Sequence, residues 1–212
     1  LRAGARILQY RHKGLFTRCH WRQCQAIADL AREQGADFFV NDRADIALAC
    51  DAAGVHLGQD DLAPELVRRL FDAALARARQ ATPPHPARQR KLIGLSTHNL
   101  QQAREGNRLP VDYLAIGPVF PTQTKERPDP AVGLETVAAV RAAVTKPLVA
   151  IGGITLENAA SVISAGADAV AVVRDLLAAA DIEAHARQLL EAIRPGQTEP
   201  RPRRGGGANP RR

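Results

Sequence analysis

Short apolar runs of strand length recur along the chain at 6–9, 37–40, 54–57, 91–95, 113–116, 148–151 and 169–173. Most are separated by longer stretches in which apolar residues return every three or four positions, the signature of amphipathic helices. The pattern predicts seven strands alternating with helices. The entrances to several strands resemble one another: Gly35-Ala36-Asp37, Ala53-Gly54-Val55 and Gly166-Ala167-Asp168 each place a helix-ending glycine ahead of the next run. A repeated unit of this kind forces parallel pairing through right-handed crossovers, as an open doubly wound sheet or a closed barrel.

The polar residues decide between the two. Nearly every run passes straight into polar or glycine residues at its C-terminal end: Gln9-Tyr10-Arg11-His12-Lys13, Asn41-Asp42-Arg43, Gly58-Gln59-Asp60-Asp61, Ser96-Thr97-His98, Gly117-Pro118 and Gly152-Gly153. An open sheet concentrates its chemistry at one switch point, whereas a barrel gathers all strand ends around one mouth. The expected architecture is therefore an α/β TIM (β/α)8 barrel. Eight units take about 250 residues, and this sequence of 212 residues starts abruptly at Leu1. The first strand and helix are expected to be absent from it, which leaves two strand edges exposed.

Composition adds limits. The chain is 45% hydrophobic, with few aromatics, and 24% charged, as befits one globular domain. The barrel is expected over 1–194, with a Pro-rich, helix-breaking surface insertion near 77–90 and a disordered basic tail over 195–212. That tail carries Arg201, Arg203, Arg204, Arg211 and Arg212 against Glu199, so net +4 of the formal +7 belongs to it. Without an aromatic residue for stacking bases it reads as a solvated extension rather than a nucleic-acid arm. No apolar run reaches the roughly 18 residues that span a bilayer, and no signal sequence opens the chain, which points to a cytoplasmic protein with no membrane partner. Cys19, Cys24 and Cys50 are odd in number and form no CxxC pair, so they read as buried thiols.

The candidate chemistry lies on the expected mouth. With a period of two, Gln9, Arg11 and Lys13 fall on one side at the end of the first run, and two cations there call for an anionic ligand. Asp42 and Asp61 follow adjacent strands; hard oxygen donors beside phosphate-binding cations suit Mg²⁺, while either residue alone could equally cap the next helix. Thr122, Gln123, Thr124 and Lys125 offer hydroxyls and an ammonium on one loop, as a phosphate clamp or an ordinary solvated loop. Gly152-Gly153 opens a helix, where bare N–H groups can meet a phosphate or simply make a tight turn. His12, His56 and His98 show no metal or triad spacing and are assigned local hydrogen bonds.

Taken in order, Gln9-Tyr10-Arg11-His12-Lys13, Asn41-Asp42, Val55-His56-Leu57-Gly58-Gln59-Asp60-Asp61, Gly94-Leu95-Ser96-Thr97-His98, Gly117-Pro118-Val119-Phe120-Pro121-Thr122-Gln123-Thr124-Lys125 and Ala150-Ile151-Gly152-Gly153-Ile154 closely resemble thiamine-phosphate synthase. The resemblance implies coupling of a pyrimidine-methyl pyrophosphate to a thiazole-ethyl phosphate, giving thiamine monophosphate and pyrophosphate. It implies that Gln9, Tyr10, Arg11, His12, Lys13, Asn41, Ser96 and Lys125 hold the pyrimidine pyrophosphate. Asp42 and Asp61 would ligate Mg²⁺, and Thr122, Gln123, Thr124 and Gly153 would surround the thiazole phosphate with Val173 and Arg174. Arg11, Lys13, Ser96 and Lys125 would carry the catalytic charge and hydrogen bonding. Two departures stand out: the family usually has Glu where His12 stands, and usually Ser after the last strand, where this chain has Val173-Arg174-Asp175. A thiazole tautomerase-like paralogue and a non-catalytic phosphate-ligand or RNA-binding protein are the competing readings. The partners expected are two small-molecule substrates, and a homo-oligomer is compatible with that reading.

Overall fold

The computed structural model describes residues 1–80, 90–122 and 130–194. Seven strands form one parallel sheet in sequential order: β1 (Ile7–Tyr10), β2 (Asp37–Asn41), β3 (Gly54–Leu57), β4 (Leu92–Thr97), β5 (Tyr113–Ile116), β6 (Leu148–Ile151) and β7 (Ala169–Ala171). Between them run α1 (Arg18–Glu33), α2 (Ala44–Ala49), α3 (Pro64–Gln80), α4 (Leu100–Gly106), α5 (Gly133–Ala143) and α6 (Leu156–Ser164), and α7 (Arg174–Leu177) and α8 (Ile182–Ala192) follow. This is the expected TIM-barrel alternation as an incomplete barrel, with β1 and β7 at the two edges of the sheet.

Alternation along each strand sorts its side chains into two layers. Val40, Val55, Leu57, Ile93, Leu95, Leu114, Ile116, Leu148 and Ala150 belong to the main hydrophobic cluster, together with helix residues such as Ala28, Val67, Phe71, Val137 and Ala159. The opposite faces turn towards the barrel interior and carry Phe39, Asn41, His56, Ser96, Tyr113 and Ala115. Phe39 and Tyr113 meet edge to face there, their ring centroids 5.7 Å apart. At the edge the interior is open, and Ile7 is 60% exposed.

The helices follow their sequence pattern. In α1, Cys24, Ala28 and Ala31 form the buried stripe, and Thr17 and His20 close a capping box at its start. Cys19, five positions before Cys24, falls off that stripe and is exposed, so only Cys24 and Cys50 are the buried thiols expected. The helix α3 continues through Arg77–Gln80, which had been assigned to the helix-breaking insertion. Ala, Arg and Gln are good helix formers, and the prolines come later. The rest of that insertion, 81–89, lies outside the described residues, as does the expected tail over 195–212.

Gly35 and Gly166 take left-handed backbone after α1 and α6, as expected. Gly54 does not; it is the first residue of β3, and Asp51 supplies the left-handed residue after α2. A side chain at Gly54 would meet the Leu92 carbonyl oxygen at 2.2 Å, so close approach of β4 accounts for this glycine.

The rim at the strand N-termini is tied by carboxylates just ahead of strands. Asp112 accepts from Ile93 N at 2.8 Å and pairs with Arg68 at 2.7 Å, while Arg68 also donates to the Lys91 carbonyl oxygen at 2.8 Å. Asp168 accepts from Leu148 N at 2.8 Å and pairs with Arg141 at 2.7 Å. Each aspartate thus pins a neighbouring strand. This rim carries stability, and the opposite one carries the candidate chemistry.

Candidate active site

Strand pairing between β1 and β2 ends at Tyr10 and Val40, so a period of two governs Gln9 but not Arg11 or Lys13. Those cations lie in the segment leading to α1. Lys13 nevertheless reaches across to Asp42, with Nζ 2.5 Å from Oδ2, while Arg11 is exposed. Tyr10 turns the other way, towards α1, and its hydroxyl donates to Gln23 Oε1 at 2.6 Å. His12 stacks on His20 with ring centroids 3.8 Å apart and meets Phe16 edge-on.

Asp42 does not cap α2, because the residue at that cap is Arg43. Its backbone is left-handed, φ 63°, a conformation that aspartate tolerates better than most residues. The amide donates to the His56 carbonyl oxygen at 2.8 Å, and the carboxyl faces Lys13 and Asp61. Burial raises the pKa of Asp42 above the ordinary carboxylate value, the contact with Asp61 raises it further, and Lys13 opposes both. Asp61 closes its own turn by accepting from Gly58 N at 2.7 Å. Next to this pair Asn41 is only 6% exposed, and its Nδ2 is buried with no hydrogen-bond partner. An orphaned buried amide costs about 1–3 kcal/mol, a penalty that a ligand oxygen would remove.

Ser96 stands on β4 between this cluster and the barrel interior. Its hydroxyl meets His56 Nε2 at 2.8 Å and its carbonyl oxygen accepts from Gln59 Nε2 at 2.6 Å. His56 also meets the Tyr113 hydroxyl through Nδ1 at 2.8 Å. Burial holds the His56 imidazole down at about 4, so it is neutral near neutral pH. Tyr113 has no place in the sequence-based site. Its signal is size complementarity: a tyrosine at an interior position of β5 pairs directly with Gly94 of β4.

A second group forms where β6 meets α6. Gly152 and Gly153 both have positive φ, and a Cβ on Gly153 would lie 2.7 Å from Phe120 Cβ and from the Pro121 carbonyl oxygen. The Gly-Gly turn is therefore packed onto Phe120 and Pro121, next to Thr122 in sequence. Gln123, Thr124 and Lys125 lie outside the described residues. Val173 is exposed, and Arg174 opens α7. Asp175 accepts from Leu156 N at 3.2 Å and meets His185 Nε2 at 2.6 Å.

A (β/α) barrel with cations, a carboxylate pair and a Gly-Gly turn at its C-terminal mouth has the arrangement expected of an enzyme that handles phosphorylated small molecules. A family model described as Thiamine monophosphate synthase matches residues 1–176. The chain belongs to that family, whose members are transferases. It is 44% identical over 186 residues to the thiamine-phosphate synthase of Chloroflexus aurantiacus, covering 88% of this chain and 78% of that protein. The corresponding protein of Pelotomaculum thermopropionicum is 41% identical over 193 residues, covering 91% and 81%. Among solved structures, thiamine phosphate pyrophosphorylase from Pyrococcus furiosus is similar with a TM-score of 0.76 and 33% identity, over 90% of this chain and 84% of that one. The likeness to a 3-hexulose-6-phosphate synthase, at a TM-score of 0.57 and 18% identity, shows the fold alone. No helix among the described residues is long and apolar enough to cross a membrane.

Proposed function

We propose that this chain joins a pyrimidine-methyl pyrophosphate to a thiazole-ethyl phosphate in the cytoplasm, giving thiamine monophosphate and pyrophosphate, with Mg²⁺ held by Asp42 and Asp61. The observation that carries the metal assignment is the facing of these two carboxyls beside Lys13. Two facing carboxylates, with burial working against the charge on Asp42, favour a cation between them. Among the described residues no group of three or more His, Cys, Asp or Glu could hold a metal. A pair fits Mg²⁺, which commonly takes one or two carboxylates and completes its shell with water and substrate phosphate oxygens. When bound there it would supply positive charge to a leaving pyrophosphate.

The chain's own residues account for the rest of the reaction. The C–O bond of the pyrimidine methyl group breaks first, and the electron pair leaves with pyrophosphate. Arg11, Lys13 and Lys125 would stabilise that growing charge, and the buried Asn41 amide would donate to an oxygen of the same group. The thiazole nitrogen then supplies the electron pair of the new C–N bond. No proton has to be removed from it, so the reaction calls for cations and hydroxyls rather than a general base. Gln9, His12 and Ser96 would surround the pyrimidine half, while the Tyr10 side chain, hydrogen-bonded to Gln23, is turned away from it; Thr122, Gln123, Thr124, Gly153, Val173 and Arg174 would surround the thiazole phosphate. Asp42→Asn tests the reading: Mg²⁺-dependent turnover should be lost, and an unchanged response to Mg²⁺ would refute the assignment.

A further inference from the structure

Behind the mouth, three polar side chains form a continuous path through the barrel interior. Tyr113 Oη lies 2.8 Å from His56 Nδ1, and His56 Nε2 lies 2.8 Å from Ser96 Oγ. Tyr113 and His56 sit on β5 and β3, and both pair with Gly94 of the strand between them. A Cβ on Gly94 would fall 2.0 Å from Tyr113 Cζ and 2.4 Å from its Oη. The missing side chain is what lets the tyrosine reach across β4. Ser96 follows on the same face of β4, towards the mouth.

The path has a direction. A neutral imidazole has one donor and one acceptor nitrogen, so its two neighbours cannot both donate to it. Burial keeps the Tyr113 hydroxyl protonated, its pKa moved upward from the ordinary phenol value. Among the described residues the hydroxyl has His56 Nδ1 as its hydrogen-bond partner. A buried phenol proton left without an acceptor costs free energy, so it goes to Nδ1. The imidazole proton is then on Nε2 and is donated to Ser96 Oγ. That leaves the Ser96 proton free for another acceptor.

We propose that Tyr113 and His56 are positioning residues that fix Ser96 as a hydrogen-bond donor to an acceptor atom of the bound pyrimidine pyrophosphate. The inference rests on the synthase reading, which places that substrate at Ser96. With the path reversed, Ser96 would donate to His56 and present only lone pairs to a ligand rich in anionic oxygens.

Imidazole ¹⁵N spectra of the wild-type protein should show His56 as the Nε2–H tautomer, and the Nδ1–H tautomer would overturn the proposal. Tyr113→Phe should lower kcat/KM roughly ten- to hundredfold, the worth of a hydrogen bond to a charged group. In a Ser96→Ala background the same substitution should add nothing, because its effect passes through the serine hydroxyl. Independent, multiplicative losses would overturn the relay. If the wild-type protein formed no thiamine phosphate, the synthase reading would fail while the spectra still decided the direction of the path.

Discussion

Acidification should weaken the fold through His56 in particular. The residue is 7% exposed, its ring has a hydroxyl partner on each nitrogen, and burial lowers its pKa to about 4, with Lys13 adding to the effect and Asp61 opposing it. In the unfolded chain the imidazole titrates near its ordinary value of 6.5. The unfolded state therefore takes up the proton first, and falling pH favours it. The stabilisation is fully present above about 6.5, erodes as pH falls towards 4, and is gone below that. At about 1.36 kcal/mol per pH unit the gap amounts to roughly 3 kcal/mol, a large part of the 5–15 kcal/mol typical of a domain. Urea denaturation of the wild-type protein and His56→Gln at about pH 7 and about pH 4 measures it. The glutamine keeps hydrogen-bonding capacity and cannot titrate, so the wild-type protein should lose more stability by about that amount. Equal losses in the two proteins would refute the burial argument.

Other expectations follow from the same geometry. Asp42→Asn, which keeps a residue tolerant of left-handed backbone, should leave the melting temperature within a few degrees and remove Mg²⁺-dependent turnover. Gly94→Ala drives a methyl group into Tyr113 and should cost about 1–3 kcal/mol in denaturant unfolding, with catalysis falling as the relay shifts. Asp112→Ala strands the buried Arg68 guanidinium and leaves Ile93 N without its acceptor, so about 3–5 kcal/mol of stability should go while a stabilised variant keeps its activity.

The strands were legible because a buried parallel sheet needs uninterrupted apolar runs: those at 54–57, 113–116 and 148–151 coincide with β3, β5 and β6. Polar residues follow most of these strands at one rim, and there the structure brings Lys13, Asp42 and Asp61 together. What sequence spacing cannot supply is the third dimension. Lys13 meets Asp42 across 29 positions, and Tyr113 meets His56 across 57. Local rules also misplaced details: Gly54 resembled a helix-ending glycine, yet its role is to admit β4, and Asp51 makes the left-handed turn. The alternation that assigned Arg11 to the strand face assumed that β1 continued beyond Tyr10, where its pairing stops.

The most direct measurement supplies the protein with both phosphorylated heterocycles and Mg²⁺ and follows thiamine monophosphate and pyrophosphate together. The account predicts equal formation of the two products, dependent on Mg²⁺ and lost in Asp42→Asn. Failure to form thiamine monophosphate from both substrates, or formation indifferent to Mg²⁺ and to Asp42, would contradict it.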